Sequence, residues 1–221
     1  MEHTLFQIGG FGVTSQMTTM LAITLLLVTV SYFGTRRMEK RPRGLQNALE
    51  KIVEMLYDFL SEQLGPELAR TYLPFLGTMF LFIVLSNYSG LLPLAGRLPG
   101  LAPPTGCLSV TAGLALCTFG LTHFGGGRSH GLHYVEHFTK PAIFMLPLML
   151  IEEIVRPVSL SLRLFGNIYG EETVTHEIFH MIPLLAPIVM NVLSLLLGFV
   201  QGMVFVMLSC IYLSGAAGEG H

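Results

Sequence analysis

Charge is what this sequence has least of. Only 12% of its 221 residues are Asp, Glu, Lys or Arg, against roughly 25% in soluble domains. So few charges cannot solvate a globule. With 52% apolar residues and a mean hydropathy of +0.63, most of the surface must face lipid or apolar protein. A soluble enzyme and a disordered chain are both excluded. The net charge of -2 carries no basic bias, and no basic patch interleaved with aromatics points to nucleic acid. Cysteine is also scarce: Cys107, Cys117 and Cys210 are an odd number with no disulfide framework, and they read as packed free thiols. The opening residues, MEHTLFQIGG, have neither the positive start of a signal peptide nor the arginines of a transit peptide.

What is present is a succession of uncharged runs. Residues 16–35 make a first run of 20, about what a helix needs to cross a bilayer, and it ends at Arg36, Arg37, Lys40, Arg41 and Arg43. Residues 71–96 and 105–123 give a second and third span, joined as a hairpin by the turn LPGLAPPTG. Nine Lys and Arg lie in the connections after spans one and three, against Arg97 alone in the hairpin turn. That bias puts the N-terminus outside and those two connections in the cytoplasm. Residues 44–64 differ: Leu45, Leu49, Ile52, Val53, Leu56, Phe59 and Leu60 recur at helical spacing, with Glu50, Glu54, Asp58 and Glu62 opposite. The spacing predicts an amphipathic helix on the cytoplasmic surface. Its acidic polar face favours packing on other subunits over anionic lipid.

The C-terminal half holds two longer segments, 141–180 and 183–214. The second lies in a stretch of 38 residues, 181–218, without a charge. A straight helix of that length would run ~57 Å, against a hydrocarbon core of ~30 Å. Both segments are therefore expected to be strongly tilted, or broken at their prolines. The expected fold is an all-α membrane protein with five crossings and one surface helix, its C-terminus inside.

Two polar stripes stand out. Arg156, Ser159, Arg163, Asn167 and Gly170 or Glu171 share one helix face, and so do Asn191, Ser194, Gly198, Gln201 and Phe205. An arginine inside a span costs several kcal/mol and cannot shed its proton. Arg163 could snorkel to an interface, pair with Glu152 or Glu153, or face a mobile carboxylate or ion path.

The run RPVSLSLRLFGNIYGEE, residues 156–172, closely resembles the signature of subunit a of F-type ATP synthases. QGMVFVMLSCIYLS, residues 201–214, resembles that family's last helix, and IEE at 151–153 and PPTGCLSVT resemble further family positions. The resemblance implies the ion-translocating stator subunit of a rotary ATP synthase, non-catalytic itself, in a bacterial plasma membrane. Its implied partners are a ring of c subunits, the peripheral-stalk b subunits and the rest of the complex. Arg163 matches the essential arginine facing the ion-binding carboxylate of each passing c subunit. Asn167, Glu172 and Gln201 match outer half-channel positions, and Glu152 and Glu153 the cytoplasmic half-channel. Ser159 lies on the arginine's own stripe. Cys107, Ser109 and Ser194 depart from relatives that carry Asp, Asn and His there. The outer path is accordingly expected to rest more on Glu171, Glu172, His176 and Glu177. No cofactor or metal is implied, and the ion is H⁺ or Na⁺.

Two rivals come from other classes. His176, Glu177 and His180 spell H-E-x-x-H, the zinc-protease motif, but a third ligand is wanting. An autonomous channel or transporter would use Arg163 to select anions, yet no internal repeat is visible. His133 and His137 share a face in the loop after the third span, where a solvated loop is the simpler account. Glycines 125–127 lack a phosphate-loop lysine, so the chain is not expected to bind ATP.

Overall fold

The computed structural model describes residues 4–8, 11–36, 44–91, 102–130, 146–181 and 186–218. Six helices make up most of it. They are α1 (Ser15–Thr35), α2 (Leu45–Leu64), α3 (Pro66–Ser89), α4 (Leu108–His130), α5 (Leu146–Met181) and α6 (Ala186–Gly218). A 3₁₀ turn, Pro104–Gly106, precedes α4. The chain is not wholly helical. Strands β1 (Thr4–Ile8) and β2 (Phe11–Thr14) pair antiparallel, with Ile8 opposite Phe11. The residues joining them are Gly9 and Gly10, a pair favoured in two-residue hairpins.

By length and composition, α1, α3 and the Ile188–Gly215 part of α6 suffice to cross a membrane, and α4 carries a shorter apolar stretch, Leu108–His123. Helix α5 is interrupted by charge. At 36 and 33 residues, α5 and α6 run about 54 and 50 Å. Pro157 lies inside α5 without ending it. The expected second span was bounded at residue 71 by the end of the charges, but the helix begins at Pro66. Proline is suited to a first helical turn, so Glu67 and Arg70 belong to the helix. Gly65 alone separates α2 from α3, at φ 79°, a conformation that glycine adopts without strain. Residues 92–96, 141–145 and 183–185 of the expected spans, with His133 and His137, lie outside the described residues.

Helix α2 packs part of its apolar stripe within the chain. Glu50, Glu54, Asp58 and Glu62 are exposed as expected. Leu56, Leu60 and Leu64, one face at four-residue spacing, are buried against this chain's own α3 and α6, beside Leu76, Phe80, Val206, Cys210 and Leu213. Val53, from the same predicted stripe, is half exposed. A second core joins α3, α4, α5 and α6 through Met79, Ile83, Ala115, Leu160, Leu164 and Phe205. Helices α3 and α6 approach closely at Gly198 and Gly202: a Cβ on Gly202 would stand 2.9 Å from Val84 Cγ2, and one on Gly198 3.1 Å from Asn87 Cβ. Small residues four apart let two backbones meet where lipid supplies no hydrophobic drive.

Candidate functional site

Three polar groupings are strung along α5. The first surrounds Arg156. Its guanidinium donates through Nη2 to Glu152 Oε1 at 2.9 Å and through Nη1 to Glu153 Oε1 at 3.1 Å. These are partners three and four residues away, as one helix face brings them together. Pairing of Arg163 with Glu152 or Glu153 is thereby corrected: ten or eleven residues separate them, and Arg156 already holds both carboxylates. The Arg156 guanidinium carbon also lies 5.5 Å from the centroid of the Tyr212 ring, within cation–π range. From α4, His123 Nε2 comes to 3.6 Å from Glu153 Oε2. A small cavity of about 10 Å³ opens here, lined by Thr118, Thr122, Glu153, Arg156 and Tyr212 among others.

The second grouping is Arg163 itself. Leu160 and Leu164 on either side are buried and fix the helix against α4 and α3. The arginine is exposed and makes no hydrogen bond or ion pair with the described residues. The flank of α5 beside its polar stripe is apolar: Val155, Val158, Leu162 and Tyr169 are all about half exposed. Ser159, one turn before it, is half-buried.

The third grouping lies one to two turns beyond. Asn167 is half-buried, with its Nδ2 buried and without a partner among the described residues. Glu171 is also half-buried, and its Oε2 is likewise buried and unpartnered. On α6 the Ser194 hydroxyl donates to the Met190 carbonyl at 2.8 Å. Glu172 is exposed, and a Cβ on Gly106 would stand 3.8 Å from its Oε2. Cys107 Sγ and Ser109 Oγ lie 3.0 Å apart at the start of α4. Gln201 is buried at 9% exposure, one face with Ser194, Gly198 and Phe205, whereas Asn191 is exposed. Glu177 is exposed. The side chains of His176 and His180 lie outside the described residues, so the H-E-x-x-H geometry is not described either.

Sequence reasoning missed a buried amide. Asn87 accepts from Thr105 Oγ1 at 2.8 Å and donates through Nδ2 to the Gly198 carbonyl at 3.0 Å. It ties the 3₁₀ turn, α3 and α6 together. Next to it, Tyr88 donates to the Leu195 carbonyl at 3.1 Å. A lone amide inside an uncharged run was the available signal, since such a group must find partners in an apolar interior. His123 was missed as well, because its partner is thirty residues away and only the α4–α5 packing brings them together.

Arg163 is ten residues from Glu153 and eight from Glu171, so the groupings lie about 15 and 12 Å from it along the axis. The whole array spans about 27 Å, close to the ~30 Å of a hydrocarbon core. Two carboxylate-bearing groupings thus flank an exposed cation along the polar stripe of α5.

A family profile described as "ATP synthase A chain" matches residues 17–214. ATP synthase subunit a 1 of Syntrophotalea carbinolica is 42% identical over 96% of this chain and 89% of its own. ATP synthase subunit a of Moorella thermoacetica is 41% identical over 98% and 96%, and that of Geobacter sulfurreducens 39% identical over 92% and 87%. Similarity so long and so even leaves no part of the described bundle outside it, and the chain belongs to the ATP synthase A chain family.

Proposed function

We propose that this chain is the ion-translocating stator subunit of a rotary F-type ATP synthase. The observation that carries this reading is Arg163: an exposed cation without a partner among the described residues, on the polar stripe of α5 and midway between two carboxylate groupings. Such a charge is costly against lipid. It calls for an anionic partner from outside the chain, and a ring of c subunits presenting carboxylates meets that need. A permanent guanidinium favours the ionised carboxylate as it passes. It also repels cations that would otherwise leak between the two paths.

In this reading α1, α3, α4, α5 and α6 are the five crossings, with α5 and α6 tilted against the ring. The N-terminus is outside and the C-terminus cytoplasmic in a bacterial plasma membrane. Ions enter from outside along Asn167, Glu172 and Gln201, with Glu171, Ser194, His176 and Glu177 extending the path, and load an emptied c-subunit carboxylate. After nearly a full rotation they leave beside Glu152 and Glu153. Each charge crossing 100 mV contributes about 2.3 kcal/mol, so several must pass for each ATP formed. The chain performs no bond chemistry. The b subunits of the peripheral stalk hold it against the drag of the ring.

ATP-driven ion uptake into inverted membrane vesicles tests this, comparing Arg163→Ala with wild type after complex assembly is verified. Uptake is expected to vanish in the assembled variant. Normal uptake would reduce Arg163 to a structural charge and remove the stator reading with it.

A further inference from the structure

A histidine on α4 reaches the carboxylate grouping around Glu153, and its hydrogen bonding defines what it can do there. His123 Nδ1 lies 3.0 Å from the Phe119 carbonyl one turn earlier, and the ring packs on Phe119 with centroids 4.0 Å apart. A carbonyl can only accept, so Nδ1 carries the proton and the neutral ring presents Nε2 as its basic nitrogen. Nε2 is the atom that lies 3.6 Å from Glu153 Oε2. The other carboxylate oxygen of Glu153 is taken by Arg156 at 3.1 Å. Among the described residues, the titratable and charged groups gathered here include Glu152, Glu153 and Arg156 from α5 and Tyr212 from α6.

Exposure grades outward through the pair. The Glu153 side chain is 17% exposed and that of His123 31%. A proton bound for Glu153 would therefore meet the imidazole on the way in. The gap exceeds a direct hydrogen bond by a few tenths of an ångström. A small rotation of the ring closes it.

Resting on the stator role proposed above, we propose that His123 is the proton port of the Glu153 path, exchanging protons between medium water and Glu153 Oε2 through Nε2. When ATP hydrolysis drives the motor, Nε2 takes a proton from water to give the imidazolium. The Nε2–H bond then breaks as an O–H bond forms on Glu153, and the ring returns to its neutral form. Synthesis runs the same two transfers backward. Arg156 keeps the first carboxylate oxygen occupied, so the proton is delivered to the second.

Inverted vesicles turn the cytoplasmic side to the medium, which makes the port accessible to added bases. His123→Gln and His123→Ala are compared with wild type and with Arg163→Ala, each in assembled complexes. Both His123 variants are expected to slow initial ATP-driven proton uptake at least about a hundredfold, the lower range for losing a positioned proton carrier. With an ionophore present no gradient can build. Under those conditions imidazole is expected to restore ATP hydrolysis in His123→Ala, while pyrazole, of the same shape but far less basic, does not. Wild-type uptake rates in His123→Gln, or slow turnover that imidazole leaves unchanged, would overturn the port. So would uptake of Na⁺ in place of protons. If Arg163→Ala alone abolishes uptake, only the port fails; if Arg163→Ala keeps pumping, the stator role fails.

Discussion

The contact between α3 and α6 makes a prediction in which two glycines of one helix respond with opposite signs. Gly202→Ala puts a methyl 2.9 Å from Val84 Cγ2 and 3.4 Å from the Phe80 ring. Val84 is β-branched and holds one χ1 rotamer in a helix, so it cannot swing aside and α3 must move as a body. Overpacking of this kind costs roughly 1–3 kcal/mol. The displacement also stretches the Asn87–Gly198 hydrogen bond, 3.0 Å long and four residues away, for about another 0.5–1.5 kcal/mol. Alanine over glycine returns about 0.8–1.0 kcal/mol of helix propensity. Gly215 on the same helix has open space around its would-be Cβ, so Gly215→Ala gains that propensity without the clash. The difference between the two variants cancels propensity and leaves about 1.5–4.5 kcal/mol. The measurement is the midpoint for thermal release of the subunit from the purified complex. Gly202→Ala should lower it and Gly215→Ala raise it. Equal shifts in one direction would refute the close approach of α3 and α6.

Two further outcomes follow from side chains already described. Asn87→Ala and Thr105→Val, measured singly and together, should show a coupling energy of about 1 kcal/mol in subunit stability, because they share a buried 2.8 Å hydrogen bond; strict additivity would remove the bond from the account. Glu172→Gln should slow ATP-driven ion uptake in assembled complexes at least about tenfold; full ion-coupled synthesis in that variant would take Glu172 off the outer path.

The helices were legible where apolar residues run long enough to span a bilayer or recur on one face. The charged ends misled at α3, because Glu67 and Arg70 read as loop while Pro66 was the real start. The short ribbon at Thr4–Thr14 escaped notice since four or five residues carry little periodicity. The polar stripe of α5 was readable from spacing alone, and the same spacing favours Arg156 over Arg163 as the partner of Glu152 and Glu153. Local geometry gives both to Arg156, at three and four residues, and leaves Arg163 to the exposed face. The α6 stripe proved inward at four of its five positions: Ser194, Gly198, Gln201 and Phe205 are buried against neighbouring helices, and Asn191 is not. The fragment GFVQG, residues 198–202, displayed the small-residue spacing that lets helices touch. Partners distant in sequence, such as His123 and Glu153, are a different matter, since nothing local in a sequence marks a contact thirty residues long.

The single-residue joint at Gly65 has a mechanical consequence. Two helices joined by one residue, with Leu56, Leu60 and Leu64 seated on α6, form a brace with little freedom to pivot. A rotor dragging sideways on α5 and α6 would load α3 through Gly202 and α2 through those leucines together. In the stator role proposed above, strain between successive steps would then have to be borne outside this brace and not by flexure within it.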